Sequence, residues 1–214
     1  MGLDLKMKVN IILDKIERMV EQHIAIWDDP FRILITGILS TRTKDEVTDR
    51  ASLRLFCRYP TMDELSRAPR TAVERLIMPV GFYKRKASDV IQTTRIIMRK
   101  HKGKVPDVME YLLELPGVGR KVANIVLSEG VGKYGLAVDT HVQRISTRLG
   151  LSTSDKPEKT ELQLKRKIPR ERWNEVNSYF VEFGKQICRP VNPRCDLCDL
   201  RNVCNYWRAH ENSG

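Results

Sequence analysis

The chain reads as an all-α protein. Apolar residues recur at helical spacing along most of its 214 residues, and helix caps separate them. Alternating β-branched runs bounded by hairpin turns are absent. Val9, Ile12, Leu13, Ile16, Met19 and Val20 mark a first amphipathic helix. Asp29 stands as an N-cap with Pro30 at the first helical position, opening a nearly all-apolar helix through Leu39. A helix apolar on every side should be buried. Thr61 and Glu64 have capping-box spacing. A helix from about Pro69 to Met78 stops before Pro79 and Gly81, and another runs from about Lys84 to Lys100 with Val90, Ile91, Ile97 and Met98 inward. Pro106 opens a short helix that ends at Leu115-Pro116, and helices from about Thr140 to Leu149 and Arg170 to Ile187 complete the set. Cys57 lies in a helical stretch, where a small buried hydrophobe is expected.

An apolar content of 41% suffices for a real core, in one large domain or two smaller ones, with no internal repeat. Lys and Arg number 38 against 27 Asp and Glu, a formal charge of +11, which suits a protein that meets a polyanion. An anionic membrane would be the competing partner. No long basic amphipathic segment with a Trp/Phe-rich face supports it, and no apolar run approaches about 18 residues. Met1 to Lys8 is too polar for an export sequence, so a soluble intracellular protein is expected.

Leu115-Pro116-Gly117-Val118-Gly119-Arg120-Lys121 sets a glycine-rich turn before a helix and a lysine in that helix's first turn. A helix start carries unpaired N–H groups and partial positive charge, so it suits a phosphate and disfavours an ammonium. A neutral amine is a nucleophile. The run is therefore a backbone-phosphate clamp, or a clamp that also carries a reactive amine at Lys121. Val122, Ile125 and Val126 form an apolar stripe, with Lys121, Asn124 and Ser128 on a different, polar face. The bland alternative is a solvated lysine. Asp139, before Thr140-His141-Val142, is first of all an N-cap, and His141 is read as a scaffold residue without chemistry.

Cys188, Cys195, Cys198 and Cys204 give C-x6-C-x2-C-x5-C within 17 residues. Four cysteines this close in an intracellular chain point to a shared metal rather than two disulfides. Spacing alone leaves zinc and an iron–sulfur cluster evenly matched. Arg189, Arg194 and Arg201 lie among them as a basic rim.

Taken together, LPGVGRK, VDTH and the cysteine spacing resemble the endonuclease III family of helix-hairpin-helix DNA glycosylases, from Pro30-Phe31 through Cys204. The resemblance implies two helical domains. A six-helix barrel over 24–134 would end in the helix-hairpin-helix, and a discontinuous domain of 1–23 and 135–214 would hold a [4Fe-4S] cluster on the four cysteines. Double-stranded DNA carrying damaged bases or abasic sites would lie in the cleft between them, bound by a monomer associated with the nucleoid. Lys121 matches the family's catalytic lysine and Asp139 its catalytic aspartate. Gly117, Gly119 and Arg120 match the phosphate-binding hairpin. Ser40 to Asp45, with Arg42 where many bacterial relatives have Gln, matches the loop that fills the gap of a flipped nucleotide. Phe82 matches a second wedge, with Lys84 and Lys86 on phosphates.

The implied activity is that of a bifunctional glycosylase/lyase acting on damaged pyrimidines. Two alternatives stand beside it. One is a mismatch (uracil or thymine) or adenine glycosylase of the same superfamily that uses water. Adenine-specialised relatives carry a glutamate where this chain has Gly37. The other is a non-catalytic DNA-binding metal module.

Overall fold

A computed structural model of the chain describes residues 5–21 and 26–211. Every regular element among the described residues is helical, so the expected fold class holds. The chain divides into two compact units, residues 25–135 and residues 1–24 with 136–214.

The first unit is built around helix α2 (Pro30–Ser40). Asp29 caps it, its Oδ1 accepting from the Arg32 N–H at 2.8 Å, and Pro30 occupies the first helical position. Seven of its eleven residues are buried, which accounts for a segment without a polar face. Around it pack α3 (Asp45–Arg58), α4 (Met62–Arg67), α5 (Arg70–Ile77), α6 (Tyr83–Lys100), α7 (Met109–Leu113) and α8 (Arg120–Ile125). The Thr61–Glu64 capping box forms at the start of α4. Helix α8 runs on as a π turn, Val126–Gly130, closed by the Val131 N–H on the Val126 carbonyl at 3.0 Å.

The second unit joins α1 (Leu5–Met19) to α9 (Thr140–Arg148), α10 (Pro157–Lys167), α11 (Trp173–Gln186) and α12 (Asn205–Glu211). A 3₁₀ turn, Arg170–Arg172, leads into α11. Val9, Leu13 and Ile16 of α1 share its core with Val142, Ile145, Phe180 and Phe183. Helix α10 lacks the apolar stripe that marks the others, since its only buried residues are Thr160, Glu161 and Leu164. Lys165 pairs with the buried Glu161 at 2.6 Å and offsets the burial of that carboxylate.

Three expectations are corrected. Cys57 is exposed, because the buried positions of α3 are Thr48, Ala51, Ser52, Leu55 and Phe56 and residue 57 falls outside that stripe. Asn124 is 1% exposed and does not share an outward face with Lys121; its Nδ2 donates to the Arg120 carbonyl at 3.0 Å. Met98 is half-buried, unlike Val90, Ile91 and Ile97.

Gly184 on α11 lies close against α9. An added Cβ would lie 2.3 Å from His141 Nδ1 and 2.8 Å from an Arg144 guanidinium nitrogen. Alanine regains about 1 kcal/mol of helix propensity, whereas overpacking costs about 1–3 kcal/mol. Gly184→Ala should therefore lower stability by up to about 2 kcal/mol in calorimetry, a net of those two terms. A melting temperature raised by the full helix-propensity gain would contradict the close approach.

Candidate nucleic-acid interface and metal centre

The α7–α8 hairpin is held in place before it presents anything. Gly117 has φ +78°, a left-handed conformation that glycine adopts without a Cβ penalty. A Cβ there would also meet Ile38 Cγ2 at 3.0 Å and Asp89 Cβ at 3.1 Å. Thr93 Oγ1 donates to the Pro116 carbonyl at 2.9 Å, and the Val118 N–H closes the turn on the Leu115 carbonyl at 3.1 Å. Leu115 and Val118 are buried, pinning the turn from within. Gly119 is the N-cap of α8; it is exposed, and a Cβ built on it would meet nothing within 4 Å. Its backbone is open to a ligand, as a phosphate contact requires.

Arg120 and Lys121 follow, both half-buried, while Val122 and Ala123 go into the core. Glu129, on the π turn, lies within reach of the Lys121 charge. Desolvation raises the Glu129 carboxyl above its ordinary value, and the lysine opposes the rise. π turns inside helices often accompany functional sites.

At the start of α9, Asp139 has extended backbone and its Oδ1 accepts from the N–H groups of His141 and Val142, each at 2.9 Å. The carboxylate is thereby fixed at a helix N-terminus. Farther along the helix lie two arginines whose roles were not visible in the sequence. Arg144 donates to the Cys188 carbonyl from Nε at 3.2 Å and from Nη2 at 3.0 Å, and to the Gly184 carbonyl at 3.3 Å. Arg148 donates to Cys188 Sγ at 3.3 Å, the Arg189 carbonyl at 2.7 Å and the Pro190 carbonyl at 3.1 Å, and its guanidinium lies 4.2 Å from the Tyr206 ring centroid. One helix thus places a carboxylate at one end and holds the cysteine loop at the other.

All four cysteines, Cys188, Cys195, Cys198 and Cys204, line a single cavity closed by Leu149, Phe183, Ile187 and Tyr206. None is in a disulfide. No three candidate ligands among the described residues converge closely enough to hold one ion. Four thiols lining one cavity are a donor set of the kind that ligates a metal centre. Burial pushes the Cys198 thiol up to about 11 and also raises Cys195, with neighbouring thiols adding to the rise at both. The cost of ionising thiols packed together is the cost that a bound cation would offset. Arg189, Arg194 and Arg201 are all exposed around this loop.

The turns that carry Arg42 and Phe82 are both strained and lie against one another. Arg42, in the turn after α2, has φ +53°, and Phe82, the N-cap of α6, has φ +58°. Neither is glycine, and each such conformation costs about 1–3 kcal/mol unless its surroundings enforce it. Phe82 is 64% exposed and the Arg42 guanidinium lies 5.9 Å from its ring centroid. Lys84 is exposed, as a phosphate contact needs.

Lys86 is not. The expectation that it meets phosphate is overturned, because it is 6% exposed and its ammonium is already occupied. Nζ donates to the carbonyls of Leu39 at 2.8 Å and Thr41 at 2.5 Å and to Thr43 Oγ1 at 3.1 Å. Burial pushes its pKa down to about 8.

Gly37 faces α8. A Cβ at 37 would come 2.8 Å from Val122 Cγ1, so a glutamate has no room at that position. The arrangement speaks against the adenine-specialised alternative. No described helix is long and apolar enough to cross a membrane.

Residues 35–170 match the family model described as HhH-GPD superfamily base excision DNA repair protein. The chain is 49% identical over 180 residues to endonuclease III of Thermotoga maritima, which covers 84% of each protein. Among solved structures, a non-covalent endonuclease III–DNA complex superposes with a TM-score of 0.90 at 31% identity, covering 99% of this chain and 100% of that one. A trapped endonuclease III–DNA covalent intermediate does so with a TM-score of 0.89 at 31% identity, covering 98% and 100%. By the match to the family model and the identity to its relative, the chain belongs to the endonuclease III family of HhH-GPD base excision repair proteins.

Proposed function

We propose that this protein is a bifunctional DNA glycosylase and abasic-site lyase that removes damaged pyrimidines from duplex DNA, with Lys121 as nucleophile. The observation that carries the assignment is the placement of Lys121 two residues beyond the open Gly119 cap, on a hairpin docked without slack against α2 and α6. A base inside a duplex is out of reach, so the target nucleotide must leave the stack, and damaged or mispaired bases cost least to extrude. The deprotonated Nζ attacks C1′ of the extruded sugar. As the N–C bond forms, the glycosidic bond breaks, and the base leaves with the electron pair and takes up a proton. Opening of the sugar ring gives an iminium between Nζ and C1′, which acidifies the C2′ hydrogens. Loss of a C2′ proton then expels the 3′ phosphate, and water releases the lysine. One amine in this way couples base removal to strand cleavage.

The Asp139 carboxylate, held by two backbone N–H groups, would stabilise positive charge developing on the sugar. Gly117, Gly119 and Arg120 would hold a backbone phosphate, and Lys84 another. Arg42 and Phe82 would enter the duplex where the nucleotide has left it, the guanidinium bonding or stacking on the orphaned base. Cys188, Cys195, Cys198 and Cys204 would ligate a [4Fe-4S] cluster. When bound, that cluster would cross-link a loop whose own core is small, and Arg144 and Arg148 of α9 would orient Cys188 toward it.

Three outcomes follow. Borohydride added during turnover on a thymine-glycol duplex should trap a covalent enzyme–DNA adduct that maps to Lys121, and Lys121→Gln should abolish it. Release of free base from an uncut strand would instead favour the monofunctional alternative. Asp139→Asn should lower the single-turnover rate by about 10²–10³-fold, as loss of a preorganised electrostatic group does. Its melting temperature should stay near the parent's because Asn caps as well as Asp, whereas Asp139→Ala should lose about 1 kcal/mol. A full rate in Asp139→Asn would leave the carboxylate only its capping role. Cys195→Ser should lower bound iron and speed proteolysis after Gln186; an unchanged digestion pattern would argue against a structural cluster.

A further inference from the structure

The Lys86 ammonium has no part in the chemistry above, yet burying a charge is costly unless its partners compensate. Its three acceptors, Leu39 O, Thr41 O and Thr43 Oγ1, all belong to the C-terminus of α2 and the turn that follows. A cation is favoured at a helix C-terminus, where carbonyls lack intrahelical partners. The same turn is tied to itself by the Thr43 N–H on the Ser40 carbonyl at 3.0 Å and by Thr43 Oγ1 on the Thr41 carbonyl at 3.3 Å. Arg42 stands at its tip, in a left-handed conformation. Four residues before Lys86 comes Phe82, likewise left-handed, and Gly81 lies so close that a Cβ would meet the Arg42 carbonyl at 3.0 Å. Lys86 is therefore bonded to both residues that flank Arg42 while sitting one helical turn below Phe82.

We propose that Lys86 is a positioning residue that locks the Arg42 turn against the Phe82 turn, so that the two wedge residues reach DNA as one preformed unit. The assignment rests on the reading that Arg42 and Phe82 enter the duplex. Its physical content is separate. Without the ammonium, the Leu39 carbonyl loses its lysine donor and the Thr41 carbonyl keeps only Thr43 Oγ1, so less compensates the strain at Arg42 and the turn samples other conformations. DNA would then have to order the turn on binding, which lowers affinity more than the rate of the bound complex.

The test uses the full-length, cluster-bearing enzyme and Lys86→Met, which keeps length and apolar volume but removes the charge. Amide hydrogen exchange of residues 41–44 should accelerate about tenfold, the equivalent of one lost charge-assisted bond, with α5 unchanged. Binding to a duplex with a tetrahydrofuran abasic analogue should weaken by about tenfold through the same bond, while the single-turnover rate at saturating DNA changes less than about twofold. In an Arg42→Ala background Lys86→Met should weaken binding little further, because residues acting through one another are not additive. Parental exchange in 41–44, or a full additional loss of affinity in the Arg42→Ala background, would overturn the proposal. If Arg42→Ala and Phe82→Ala both bind as the parent does, the wedge reading itself fails, and the exchange measurement still decides whether Lys86 orders the turn. Should Lys86→Met not fold, Thr43→Val removes one acceptor at nearly constant volume. It should accelerate exchange at 41–44 in the same sense, and parental exchange there would count equally against the proposal.

Discussion

The position of the α8 start depends on a contact that admits no side chain. Gly117 lies against Ile38 and Asp89 with left-handed backbone, and the neighbouring Pro116 carbonyl is bonded by Thr93. Any other residue at 117 would meet both a steric and a conformational penalty. Because α2 and α6 are themselves core helices, the hairpin inherits their rigidity and passes it to Gly119, Arg120 and Lys121. A nucleophile misplaced by an ångström loses much of its advantage. The glycine-rich turn is thus a packing device as well as the proposed phosphate clamp.

Helix α9 plays the corresponding part in the other unit. Its N-terminus immobilises Asp139 and its arginines bind the carbonyls and thiol of the cysteine loop. Arg144 is partly desolvated, which lowers its pKa from the usual guanidinium value, with the Cys188 thiol and Asp139 opposing the fall. Two features that look unrelated in sequence, the Asp139 carboxylate and the cysteine loop, therefore share one helix. The loop itself contains only 3₁₀ turns, Cys195–Leu197 and Arg201–Val203, and a single deeply buried side chain, Leu200. So little apolar burial gives it no independent stability.

Most of the fold could be read from periodicity and caps. Asp29-Pro30 and the Thr61–Glu64 box occur as their chemistry requires, and α6 begins within a residue of its expected start. Helix α10 stayed hidden because its buried face is Thr160, Glu161 and Leu164, of which only the leucine is apolar. Lys86 was misjudged for a different reason. Lys84, Arg85 and Lys86 read as one basic cluster, but Lys86 falls on the same helical face as Val90, Thr93 and Ile97, at spacings of four, seven and eleven. That register was the available signal. Arg144 and Arg148 offered none, since their acceptors are backbone carbonyls some forty residues away, at Gly184, Cys188, Arg189 and Pro190. Backbone acceptors leave no trace in composition.

The close approach between Gly37 and Val122 bears on how such enzymes can diverge. A β-branched valine has little freedom to swing aside, so a carboxylate at 37 would overpack this contact by about 1–3 kcal/mol unless a smaller residue stood at 122. The residue that would have to yield is the immediate neighbour of Lys121, so a side chain gained on α2 is coupled through packing to the residue beside that lysine on α8.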